Sequence, residues 1–299
     1  MLVLFEKVLV PLDGSKTSEG ILPYVAALAE RFGSRISLLT VIDPDALDVP
    51  EKLGDLYSAW EAAVRKQLAK AAEELRAKVP QVEHEVAHGK AAHEILAHAS
   101  RKQCGLIAMS TRGRGLLGWG MLGSVAYNVI HMSPVPVLTI APEKAEHYSH
   151  ACFGLSTVSV PLDGSKLAEQ ALPAAEALAA RLSASIVLMR VVPSVEVLPL
   201  YLTGTLPMQL HEAAKAEAAQ YLKDVEQRLR RKGLEVTVSM YHGSASAELV
   251  RVLRDTQNNI VVMTSHGRSN TFSEVLGSVV LSVVRDSGDP VLIIPARGG

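Results

Sequence analysis

The run Val10-Pro11-Leu12-Asp13-Gly14-Ser15-Lys16 returns unchanged as Val160 to Lys166, 150 residues later. A second pair of segments follows the same plan. Met109-Ser110-Thr111-Arg112-Gly113 is matched by Met263-Thr264-Ser265-His266-Gly267 at a spacing of 154, a net insertion of four residues in the second copy. Each copy closes on an apolar segment, Pro134 to Ile140 and Asp289 to Ile294. A period this long marks a duplicated domain, because solenoid repeats are several times shorter. A chain of 299 residues has room for two domains that each bury their own core. The sequence therefore divides into domains at 1–142 and 156–299, with 143–155 as linker, a stretch without strong periodicity that contains Gly154.

Within the first copy, short runs rich in Val, Ile and Leu at about 7–12, 36–42, 105–110 and 135–140 read as strands buried on both faces, and 82–87 alternates as a less buried one. Between them, residues 16–32, 56–78, 90–103 and 121–132 carry helical periodicity. The second copy places strands near 156–162, 186–192, 235–241, 259–264 and 290–294. Alternating strands and helices require right-handed crossovers and a parallel sheet covered on both faces, so the expected fold is α/β, two doubly wound domains in tandem. A ligand then belongs at the carboxyl ends of the strands, where the strand order reverses.

Charge excludes some partners. Thirty Lys and Arg balance thirty-one Asp and Glu, leaving no overall field to draw in nucleic acid or an anionic membrane. No apolar run approaches the roughly 20 residues that span a bilayer, and the apolar start is broken by Glu6, Lys7 and Asp13, so a cytoplasmic protein is expected. Cys104 and Cys152 have no partner at short spacing, which argues against a disulfide framework or a zinc site.

Asp13 and Asp163 end the first strand of each copy, and their carboxylates are expected at the crevice; a simple turn with a helix cap explains the same residues. After the fourth strand, Ser110-x-x-Gly113 is followed by nine residues and Gly123-Ser124, and Thr264-x-x-Gly267 by nine residues and Gly277-Ser278. Glycines there let the backbone approach phosphate oxygens, a helix N-terminus offers unpaired N–H groups, and Ser124 and Ser278 add hydroxyls. This is neither the Walker A spacing nor a dinucleotide fingerprint after the first strand. Arg112, Arg114 and Arg268 flank the loops, either to neutralise phosphate or as solvated surface.

On these residues the chain resembles a tandem universal stress protein, whose nucleotide-binding members carry G-x-x-G-x9-G-[S/T] after the fourth strand. The resemblance covers both halves and implies five-stranded sheets of order 3-2-1-4-5, a cytoplasmic stress-response role, and a bound ATP, with Mg, or another adenine nucleotide. By the same mapping, Pro11, Asp13 and Val41 hold the adenosine end in the first copy, and Pro161, Asp163 and Val191 in the second. Gly113, Gly123, Ser124 and Val125 surround the phosphates, as do Gly267, Gly277, Ser278 and Val279. The chain departs from the family pattern where Ser110 and Thr264 replace the first glycine. Arg112 stands where His is frequent, and the second copy keeps His266. Serine or threonine retains a hydrogen-bonding group but gives up glycine's backbone freedom. The resemblance also implies pairing of half-molecules through the final strands, and hence a homodimer or larger homo-oligomer, with a protein partner that the residues do not identify.

Other features read as structure. His84 and His88 share a strand face without a third ligand, so no metal site is expected; His93, His98, His131 and His242 read as solvated or partly buried. A hydrolase would need a group to position water, and His266 is the distinctive candidate, absent from the first copy. The apolar segment Pro193 to Leu202 suits a lid or subunit contact better than its charged counterpart Asp43 to Asp55.

Overall fold

In the computed structural model, residues 3–43, 54–113, 122–141, 154–194, 206–267 and 276–296 are described. The expectations for the linker, for Cys152, for most of both lid segments and for Arg114 and Arg268 fall outside them. Two compact units are present, Met1–Phe153 and Gly154–Gly299.

The first unit runs β1 (Lys7–Pro11), α1 (Lys16–Glu19), α2 (Leu22–Phe32), β2 (Arg35–Ile42), α3 (Gly54–Arg76), β3 (Val82–His88), α4 (Ala91–Arg101), β4 (Leu106–Ser110), α5 (Ser124–Met132) and β5 (Val137–Ile140). Its strands lie in the order β3-β2-β1-β4-β5, all parallel. The core follows from the strand composition: Leu9, Val10, Leu38, Leu39, Leu106, Ile107 and Ala108 are fully buried, as expected of a sheet covered on both faces.

The second unit repeats the plan with β6 (Thr157–Pro161), a 3-10 turn at Ala168–Ala171, α6 (Leu172–Leu182), β7 (Ser185–Val192), α7 (Leu206–Arg230), β8 (Val236–His242), α8 (Ala245–Asp255), β9 (Asn259–Thr264), α9 (Ser278–Asp286) and β10 (Val291–Ile294). Its order is β8-β7-β6-β9-β10, again parallel. In each unit the order reverses beside the first strand, between β1 and β4 and between β6 and β9, which opens a crevice above their carboxyl ends.

The helix expected over 16–32 is two helices. Gly20 caps α1, its N–H bonding to the Lys16 carbonyl, and α2 starts afresh with Pro23 in its first turn, where the missing N–H costs nothing. The chain leaves α2 through Gly33 at φ 68°, while α6 ends in the same left-handed conformation at Ser183, φ 54°.

Candidate functional site

The site is assembled from turns that the repeated sequence dictates. Gly14 and Gly164 adopt φ of 77° and 87°, a region that residues with a Cβ avoid, and so fold the chain sharply after β1 and β6. Asp13 Oδ1 then accepts hydrogen bonds from the Ser15 N–H at 2.9 Å and the Ser15 hydroxyl at 2.6 Å. The Ser15 hydroxyl oxygen in turn accepts from the Ser18 N–H at 3.1 Å, capping α1. Asp163 and Ser165 repeat these contacts at 2.9 and 2.6 Å, and Ser165 accepts from the Ala168 N–H at 3.1 Å. The turn reading and the crevice reading therefore both hold: one carboxylate oxygen builds the turn, and the other lies against the glycine of the opposite loop, Gly113 or Gly267.

That opposite loop leaves the end of β4 or β9. Ser110 and Thr264 are the last residues of these strands and are buried, so the extended backbone there does not require glycine. Their hydroxyls serve the loop instead: Ser110 Oγ accepts from the Arg112 N–H at 3.4 Å, and the Thr264 hydroxyl donates to the His266 carbonyl at 2.7 Å. His266 Nδ1 lies 3.1 Å from Ser265 Oγ, which also accepts from the Ala296 N–H.

The loop returns at Gly123, whose N–H bonds the Thr111 carbonyl at 2.9 Å, and at Gly277, whose N–H bonds the Ser265 carbonyl at 3.3 Å. These glycines are the N-caps of α5 and α9, and neither helix receives a hydrogen bond from a capping side chain. Helix N-termini leave their first N–H groups without partners inside the helix, and such groups carry the positive end of the helix dipole. Both termini face the crevice, with Ser124, Val125 and Ala126 lining one cavity and Ser278, Val279 and Val280 the other.

The cavities measure about 220 Å³ in the first unit and about 510 Å³ in the second. Pro11, Asp13 and Val41 line the first together with Ser110, Arg112, Gly113, Gly123, Ser124 and Val125. Pro161, Asp163 and Val191 line the second with Thr264, His266, Gly267, Gly277, Ser278 and Val279. Each cavity also has an apolar wall outside the candidate site residues: Leu39, Ile95 and Met109 in one, Met189, Leu249 and Met263 in the other. Two of these were within reach of the sequence, since Leu39 and Met189 precede Val41 and Val191 by the two-residue period of a strand face. The first cavity alone adds a hydroxyl at its rim, Ser18, which accepts from the Asp13 N–H at 3.3 Å; Ala168 stands there in the second.

Among the described residues no group of three or more His, Cys, Asp or Glu is arranged to hold a metal ion. No described helix is long and apolar enough to cross a membrane.

A parallel doubly wound domain, built twice, with an apolar slot at the strand switch point, a glycine-capped helix N-terminus at its rim and no Walker loop, defines a class of tandem α/β proteins. The model of the universal stress protein family matches residues 4–141 and 155–295, and the chain belongs to that family as a tandem member. Over its full length it is similar to a universal stress protein of Mycolicibacterium smegmatis, 25% identical over 301 residues and covering 97% of each chain. Over one repeat it is similar to the universal stress protein YxiE of Bacillus subtilis, 34% identical over 147 residues, which is 46% of this chain and 99% of that protein. In structure it is similar to a universal stress protein from Archaeoglobus fulgidus with a TM-score of 0.73, at 22% identity, covering 97% of this chain and 98% of the other.

Proposed function

We propose that this chain is a nucleotide-dependent regulatory protein of the stress response that binds ATP, with Mg, in one or both crevices. The observation that carries the reading is the pair of glycine-capped helices, α5 and α9, each opening on a cavity with no side-chain cap at its N-cap among the described residues. Such a terminus attracts phosphate, and the apolar wall beside it suits a purine ring. Asp13 and Asp163, each with one oxygen committed to its turn, present the other toward the loop glycine, a position suited to ribose hydroxyls. Arg112 at the first crevice and His266 at the second belong to the phosphate side of this reading, as do Arg114 and Arg268. On the same reading the protein works in the cytoplasm as a homodimer or larger homo-oligomer, and nucleotide occupancy governs its choice of protein partner.

The test is calorimetric titration with ATP and Mg²⁺ of the wild type, Gly123→Val and Gly277→Val. A Cβ at either position approaches the carbonyl of Thr111 or Ser265 to 3.3 or 3.2 Å, a contact that asks for only a small shift, while the added bulk stands where the helix opens. Two sites in the wild type, each lost with its own glycine, are the expected result. No heat, and no displacement of a fluorescent ATP analogue, would identify the protein as a nucleotide-free scaffold.

A further inference from the structure

Arg190 is a lone cation inside the apolar strand β7, and it is 6% exposed. Its neighbours Met189 and Val191 take part in lining the second cavity, whereas its own guanidinium lies beside Glu217 and Tyr221 of α7. The pairing is thin. Nη2 is 3.7 Å from the Glu217 carboxylate, which is 66% exposed, the guanidinium carbon is 5.2 Å from the Tyr221 ring centroid, and Nη1 is buried with no hydrogen-bond partner among the described residues. Burying a guanidinium with a donor unfilled is costly.

What the guanidinium does touch is the turn of the second crevice. A Cβ on Gly164 would meet Nη1 at 2.8 Å and the guanidinium carbon at 3.1 Å, so the group packs closely against the backbone next to Asp163. The first unit holds the same turn by neutral means. By strand register Thr40 occupies the place of Arg190. The helices align through identical contacts, Arg76 to the Val82 carbonyl and Arg230 to the Val236 carbonyl, which puts Gln67 opposite Tyr221. The Gln67 amide donates to the Gly14 carbonyl at 2.9 Å and to Glu19 at 2.8 Å. In the second unit the Tyr221 hydroxyl donates instead to Glu169 at 3.4 Å, away from the turn. The fold can thus build this turn without a buried charge.

We propose that Arg190 is a positioning residue of the second crevice: its guanidinium, wedged beneath Gly164, fixes the turn that presents Asp163, so nucleotide binding there depends on a buried cation that the first crevice does without. The proposal rests on reading the crevices as ATP sites, and its test separates the two. Amide hydrogen exchange at Gly164 and Ser165, measured without nucleotide, reports the turn directly, and ATP titration reports the site. Arg190→Met keeps the apolar stem and removes the N–H groups; it is expected to speed exchange at these amides and to weaken ATP at the second crevice, each by about tenfold. Gly14, Ser15 and the first crevice stay unchanged. Arg190→Lys restores most of both losses, a rescue that mere space-filling by the stem does not predict. Should Arg190→Met fail to fold, Arg190→Thr read against Arg190→Thr with Tyr221→Gln, the pair found in the first unit, decides the point. Exchange is then fast in the single variant and slow in the double. Wild-type exchange and affinity in Arg190→Met or Arg190→Thr overturn the proposal, as does an equal loss in the Met and Lys variants. If the wild type binds no ATP, the site reading fails while the exchange data still judge the role of Arg190.

Discussion

The carboxylate of Asp13 fills the space that a side chain on Gly113 would need, and Asp163 stands in the same relation to Gly267. Neither loop glycine adopts a positive φ, so its own backbone does not demand glycine; its partner does. The two repeated ends of each site are a single steric unit that joins the loop after the fourth strand to the turn after the first.

Gly113→Ala therefore acts on Asp13. A Cβ at 113 overlaps Oδ2, and the carboxylate has to swing away or strain its bonds to Ser15. ATP affinity at the first crevice is expected to fall by about tenfold or more while the second is unchanged, with Gly267→Ala giving the mirror result. Titration of each variant with a fluorescent nucleotide checks this, and a uniform loss at both crevices would contradict it.

Acid should loosen the first unit before the second. His98 is wholly buried, with Nε2 3.0 Å from Ser37 Oγ; Glu85 and Glu83 face it from β3, and Arg101 and Lys102 from its own side. Burial holds its imidazole below the ordinary value of 6.5; the Glu85 charge opposes this and Arg101 and Lys102 reinforce it. The unfolded chain then binds more protons just below pH 6.5, so stability rises with pH through that window and is lost as pH falls. Burial works to raise the Glu83 and Glu85 carboxyls, but hydrogen bonds from Lys7 and Lys102 and the surrounding charges hold both below 4.5, adding a loss of the same sign at lower pH. In the second unit Val187 and Val252 take the places of Ser37 and His98. Hydrogen exchange resolved by unit, followed between about pH 7 and 5, should show the first unit losing protection, and Ser37→Val with His98→Val should flatten the trend.

Ser183 offers a stabilising change. It ends α6 at φ 54° and ψ 39°, where the first unit has Gly33. The left-handed conformation costs a residue with a Cβ about 1 kcal/mol, part of which glycine returns through its looser unfolded chain. Ser183→Gly should raise the stability of the second unit by up to about 1 kcal/mol in denaturant unfolding, and Gly33→Ser should lower that of the first.

Cys104 is buried, and burial pushes its thiol up to about 11. Thiolate is the reactive form. Peptide mapping after treatment with a thiol reagent at neutral pH should find Cys104 unmodified in the native protein and fully modified in denaturant.

The tandem plan was legible because a strand buried on both faces leaves an unmistakable apolar run, and because the turn residues at 13–15 recur at 163–165 with no change. The break between α1 and α2 is hidden by continuous apolar periodicity across Gly20 and Pro23, although glycine and proline are the residues that most often punctuate a helix. His98 reads as solvated or partly buried from sequence for a different reason: the one carboxylate of its helix, Glu94, pairs with His93, and the acids that face His98 come from β3, which only folding brings near. Arg190 did leave a trace, a single charge inside Ser185 to Val192, but nothing local says that Gly164 lies over it.

On the proposed reading, the glycine caps of α5 and α9 tie heat resistance to solution composition. A Ser, Thr, Asp or Asn at Gly123 or Gly277 would satisfy its helix permanently and add a few tenths of a kcal/mol. Glycine leaves that increment to whatever anion arrives, and a ligand that binds only the folded domain raises its melting temperature in proportion to the logarithm of its concentration. On the proposed reading each domain is sturdier when its nucleotide is abundant, and the melting curve of the protein becomes a gauge of the pool from which that ligand is drawn.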